Sequence, residues 1–260
     1  STADKWGTSS SGWSINRLLT VFSKICAAVS FAHSRGVIHR DLKPENILIG
    51  KFDQVLVVDW GIAKILGSDH LDNRNEDAVV VTEADAYKTQ MGAVAGTPAY
   101  MAPEQARGLI DQIDERTDIY TLGSILYEIL SGRTPYGGAT RYQVIGQVLA
   151  GPPTSVRATV NHTHRLTETI ELDLFEDEPE DFVEEEIHSF SNKTLPDELV
   201  AACEKAMQRS QAHRFQTVAE FNTVIQNWLD GVKKREEALE VIELALSADK
   251  KRLKLMAQAS

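Results

Sequence analysis

A mainly α-helical fold carrying small β hairpins is expected for this 260-residue chain. Apolar residues recur at helical spacing in several stretches, the β-rich pieces are only three or four residues long, and glycines follow the helical stretches as stop signals. Ile15, Leu18, Leu19, Phe22, Ile25, Cys26 and Val29 fall on one helix face, and Gly36 lies just beyond, so one helix leads into His39. Residues 47–49 and 55–58 are β-rich and flank Gly50-Lys51-Phe52-Asp53, the composition of a hairpin turn. Residues 66–94 show little periodicity. Helical patterns resume at residues 117–131 (Ile119, Leu122, Leu126, Ile129, closed by Gly132), at 197–208, and at 217–230, where Gly231 is expected to end the helix.

The chain is 42% hydrophobic and 25% charged, which places it among soluble globular proteins. No run approaches the ~18 consecutive apolar residues of a membrane span, and residues 1–14 lack a basic-then-apolar leader, so no membrane segment is expected. Cys26 and Cys203 sit in helical patterns without metal-ligand spacing and read as buried thiols of a reducing, cytoplasmic compartment. The net charge of -11 is concentrated in residues 168–186, which hold eleven acids and no Lys or Arg; the remainder balances at 27 acids and 27 bases. A chain without a basic stripe repels a phosphate backbone, so no nucleic-acid partner is expected. Three parts follow: a flexible polar start at 1–14, a body at 15–231 interrupted by an acidic insertion at 153–196, and a charged helical extension at 232–260. In the extension Leu239, Ile242, Leu246, Leu253 and Met256 suggest either a protruding helix or the start of a short coiled coil.

The chemistry is concentrated in His39-Arg40-Asp41-Leu42-Lys43-Pro44-Glu45-Asn46, followed eighteen residues past Asp41 by Asp59-Trp60-Gly61 and later by Ala102-Pro103-Glu104. Gly96-Thr97-Pro98-Ala99-Tyr100-Met101 and Asp118-Ile119-Tyr120-Thr121-Leu122-Gly123 complete an ordered set. With these motifs, residues 15–231 resemble the large, C-terminal lobe of a eukaryotic-like Ser/Thr protein kinase. Strings such as Ala32-His33-Ser34-Arg35-Gly36-Val37-Ile38-His39 resemble bacterial members.

Phosphoryl transfer through a loose transition state asks an enzyme to position its partners and neutralise charge. The resemblance implies ATP and Mg²⁺ as cofactors and a protein Ser or Thr as substrate. Asp41 would accept the hydroxyl proton, Lys43 would contact the transferred phosphate, and Asn46 and Asp59 would offer oxygen ligands to Mg²⁺. It implies further that Leu48 forms the floor under adenine and that Thr97 bonds the catalytic Asp. His39 and Trp60 would stack in an apolar column, Asp118 would hold the catalytic-loop backbone, and Glu104 would pair with Arg214. Trp60 departs from the usual Phe. Arg40 marks the subclass in which a phosphate on the activation loop pairs with an arginine, and Thr89, eight residues before Thr97, is the candidate, with Thr82 behind it. His162 and His164 lack a further partner at metal-ligand spacing.

Only 40 residues precede Asp41, and they contain no G-x-G-x-x-G loop and no V-A-I-K-like strand. The chain is therefore expected to start near the hinge, either as a fragment of a longer kinase with the small lobe upstream or as a naturally truncated chain, with poor transfer in the small lobe's absence. Two readings follow. One is the catalytic lobe of a Ser/Thr kinase, favoured by the intact polar set. The alternative is a non-catalytic kinase-like binding or scaffold module.

Overall fold

A computed structural model describes residues 13–51, 54–61, 63–65, 97–160 and 195–258. Helix α1 spans Ile15–Ser34, α2 Pro103–Ala106, α3 Glu115–Ser131, α4 Arg141–Ala150, α5 Asp197–Ala206 and α6 Val218–Gln258. Strands β1 (Val37–Ile38) and β4 (Lys64–Ile65) pair antiparallel, as do β2 (Ile47–Ile49) and β3 (Val55–Val57), with Leu48 opposite Leu56.

The local signals act as expected in the first half. Ser14 caps α1 by accepting the Arg17 N–H, and Gly36 takes the left-handed φ of 74° that lets the chain turn off the helix into β1. The buried face of α1 carries Ile15, Leu19, Phe22, Ile25, Cys26 and Val29, with Val21 added. By length and composition α1 is also able to cross a membrane; here its apolar face packs into the core against the first turns of α6 and against β3. α3 begins two residues before its apolar pattern, capped by Asp114, and ends at Gly132 with φ 69°. It is buried along nearly its whole length, which makes it the central post of the lobe. α5 crosses it closely at Gly123, where an added Cβ would lie 2.8 Å from Ala206 Cβ and Met207 Cγ.

Four expectations need correction. Gly231 does not stop its helix: α6 runs through it to Gln258. A Gly costs a helix only about 1 kcal/mol relative to Ala, and the Lys, Arg, Glu and Ala residues that follow outweigh it. The expected extension at 232–260 is thus the second half of α6 rather than a separate piece. The expected insertion at 153–196 is built into the lobe at its edges, since residues 156–160 are helical and Val156 and Leu195 are buried in the core. α5 ends at Ala206 rather than at 208, with Met207 as its cap. α4 was not foreseen, although Thr140 and Gln143 exchange the two bonds of a capping box at its start. Thr82, Thr89, His162, His164 and the acidic run at 168–186 lie outside the described residues.

Candidate active site

The site is organised from below by a carboxylate. Asp118, fully buried in α3, accepts the backbone N–H of His39 at 2.8 Å and of Arg40 at 2.9 Å, and it sits 2.8 Å from His33 Nε2. Gln105 Nε2 adds a 2.7 Å bond to the Arg40 carbonyl. These bonds hold Arg40 at φ 72°, a left-handed conformation unusual for a side chain of this size and sustained here by the bonds around it. The loop is thereby turned so that the next residue, Asp41, faces Thr97.

The Asp41 carboxylate is gripped on both oxygens. Oδ1 accepts the Thr97 N–H at 2.8 Å, and Oδ2 lies 3.0 Å from Lys43 Nζ. Lys43 Nζ also donates to Thr97 Oγ1 at 2.9 Å, so the three residues implied as the chemical centre form one bonded cluster. Asn46, buried, donates from Nδ2 to the Asp41 carbonyl at 2.8 Å, which fixes its amide and leaves the carboxamide oxygen as the group with ligand chemistry.

Hairpin β2–β3 brings the two proposed metal ligands to one end. Asn46 precedes β2, Asp59 follows β3, and the Val58 N–H donates to the Asn46 carbonyl at 2.9 Å. Asp59 is exposed and left-handed at φ 63°. Gly61 accommodates its carboxylate, because a Cβ there would lie 3.2 Å from Asp59 Oδ1. Among the described residues there is no group of three or more His, Cys, Asp or Glu that would cage a metal. One carboxylate and one carboxamide are hard oxygen donors that suit Mg²⁺, an ion that takes its remaining ligands from water and phosphate.

His39 Nε2 donates to the Val58 carbonyl at 3.1 Å while Nδ1 accepts the Asp41 N–H at 3.3 Å, which defines the neutral Nε2–H tautomer. Its ring lies 4.5 Å from that of Trp60, tilted by 50°. Trp60 Nε1 donates to the Val57 carbonyl at 3.1 Å, an anchor that a Phe at this position would lack. Leu48 and Leu56 face out together from the hairpin, 51% and 59% exposed. Among the described residues Arg40 Nε is buried without a hydrogen-bond partner, and burial pushes the guanidinium pKa down while the charge of Asp118 pulls it back up. Thr89, its expected partner once phosphorylated, is outside the described residues.

Behind the site, Glu104 and Arg214 form a buried two-pronged pair at 2.7 and 2.8 Å. Thr117 Oγ1 donates to the same carboxylate, and Arg214 also reaches the carbonyls of Gln208 and Arg116. This ties the segment after Thr97 to the loop before α6. Two supporting residues were missed in the sequence: His33, placed in the last turn of α1, and Gln105, whose Oε1 also accepts the Ala102 N–H three residues back. That i to i+3 spacing at a helix start was the available signal. A cavity of about 460 Å³ between Tyr127, Pro152 and Met207 shares no lining residue with this site.

A buried aspartate pinning an H-R-D loop, a D-x-G segment at the end of a hairpin and an ion pair from A-P-E to a late arginine, all on a helical scaffold, define the large lobe of a protein kinase. The comparisons agree. The protein kinase domain family profile matches residues 5–251, and the chain belongs to that family. It is 46% identical over 134 residues to the serine/threonine-protein kinase PknD of Protochlamydia amoebophila, covering 50% of this chain and 13% of that protein. It is 46% identical over 128 residues to the PknD of Chlamydia trachomatis serovar L2b, and 45% over 125 residues to that of Chlamydia caviae. These matches cover 47% of this chain and 14% and 13% of those proteins, so the lobe is similar to that of bacterial serine/threonine-protein kinases while the matched segment spans a small part of each relative.

Proposed function

We propose that this chain supplies the catalytic-loop lobe of an ATP-dependent protein kinase that phosphorylates Ser or Thr hydroxyls of proteins. The observation that carries it is the bonded cluster of Asp41, Lys43 and Thr97, in which a carboxylate is oriented by a backbone N–H and a cation is held beside it. Asp41 takes the proton of the attacking hydroxyl. Lys43 places positive charge where the transferred group carries negative charge, and Thr97 keeps both in register. Mg²⁺·ATP, when bound, supplies the phosphoryl group and neutralises its charge; Asn46 and Asp59 are the residues that would hold the ion. The outward face of Leu48 and Leu56 suits the adenine and the small lobe that the family places there, and the reduced, buried Cys26 and Cys203 suit a cytoplasmic setting. The scaffold reading is not favoured, since stability alone does not require this polar cluster.

The test is transfer of the γ-phosphate from ATP to a generic protein substrate, measured for the chain alone and for the chain fused behind a kinase small lobe. In the active form Asp41→Asn should lower the rate by about 10²–10⁴ with the circular dichroism unchanged. Raising Mg²⁺ should partly restore Asp59→Asn and leave Asp41→Asn inactive. An Asp41→Asn variant as fast as the parent would overturn the proposal.

A further inference from the structure

The second half of α6 leaves the lobe. Trp228 is buried and Val232 still packs on the core, but the described side chains from Lys233 to Leu246 are exposed. At ~1.5 Å per residue, the helix from 232 to 258 reaches about 39 Å beyond its last core contact. Leu239, Ile242 and Leu246 lie along one stripe of it, 55%, 52% and 66% exposed. The helical backbone runs on to Gln258, and in the sequence the same spacing recurs at Leu253 and Met256, which assigns heptad positions a to 239, 246 and 253 and d to 242, 249 and 256.

The order of charges says what covers this stripe. Glu236, Glu237, Glu240 and Glu243 are followed, past an uncharged stretch, by Asp249 and then Lys250, Lys251, Arg252 and Lys254. Two copies laid parallel and in register would set acid beside acid and base beside base, and their flanking g-to-e contacts would pair Ala238 with Glu243 and Ala245 with Lys250, with no attraction. Laid antiparallel about a two-fold axis between 247 and 248, the same helices set the acidic block of one copy along the basic block of the other. Position 239 then meets 256, 242 meets 253, and 246 meets 249. Glu243 and Lys250 both occupy e positions, which face each other in an antiparallel pair, so the dimer gains this attraction twice by symmetry.

We infer that α6 dimerises the protein through an antiparallel two-helix coiled coil spanning residues 239–256, with a second copy of this chain as the occupant of the stripe. Asp249 is the one polar seam position within that span; it meets Leu246 of the other copy next to the two-fold axis, at a cost in stability that the apolar layers on either side offset. The lobe anchors the first turns of α6, so nucleation of the helix is already complete when the copies meet.

Sedimentation of the whole chain should give twice the chain mass, and Ile242→Asp should return it to the monomer mass without shifting the thermal midpoint of the lobe. Cysteine cross-linking fixes the direction, because Cys26 and Cys203 are fully buried and do not compete. Ile242→Cys mixed with Leu253→Cys should form a disulfide between the two variants, while neither links to itself. A monomeric parent, a species larger than a dimer, or self-linking of Ile242→Cys would each overturn the inference.

Discussion

Asp118 shows how one side chain sets the geometry of a site it does not enter. Its two oxygens take the N–H groups of His39 and Arg40, and the left-handed Arg40 that results aims Asp41 at Thr97. A second carboxylate on the same helix has the opposite character. Glu128 accepts the Tyr100 hydroxyl at 2.7 Å, yet burial raises its pKa above 4.5; the Tyr100 bond opposes that rise and the charge of Glu45 adds to it. The folded state therefore favours the protonated acid, whose contribution is complete below the ordinary carboxylate range and is lost as pH rises through the folded value. Glu128→Gln, neutral at every pH and still able to accept from Tyr100, should be more stable than the parent at neutral pH and should converge with it as pH falls toward 4.5. Thermal midpoints across that range decide the matter, and a difference independent of pH would refute it.

Two glycines inside helices carry opposite meanings for their elements. At Gly123 the missing side chain is what lets α3 and α5 touch, since a Cβ there would press on Ala206 and Met207. At Gly231 the same atom would meet, among the described residues, nothing nearer than Arg235 at 3.9 Å. Gly123→Ala should cost about 1–3 kcal/mol by overpacking, and Gly231→Ala should gain up to about 1 kcal/mol by helix propensity. Urea midpoints of the two variants, moving in opposite directions, check both. From the sequence the two residues look alike, each a glycine among helix formers, because the local pattern does not record which helix lies across the way.

Across the whole molecule the lobe is closed by its own ends. Phe22 of α1 meets Phe221 of α6 edge-on, with centroids 5.6 Å apart, and Phe221 stacks on Phe215 at 5.0 Å. Phe221→Ala should cost roughly 3–5 kcal/mol, because it removes the middle ring of the cluster that joins α1 to α6. A urea midpoint close to that of the parent would show that the ends do not hold the core together. The apolar stripes of α1 and α3, the hairpin around residue 50, and the motif around Asp41 were all legible in the sequence, since periodicity and motif spacing are properties of adjacent residues. Its partners were not legible without the resemblance: Thr97 reaches Asp41 across 56 residues, Asp118 reaches His39 across 79, and Arg214 reaches Glu104 across 110. The continuation of α6 past Gly231 was not legible either, because a glycine ends a helix only where its backbone leaves the helical conformation, and at Gly231 it does not. The amino-acid sequence by itself determined which chemical groups are present and that α1, α3, α5 and the first turns of α6 are helical. Only the tertiary structure decided which groups meet, because burial and long-range hydrogen bonds depend on elements far apart in the chain.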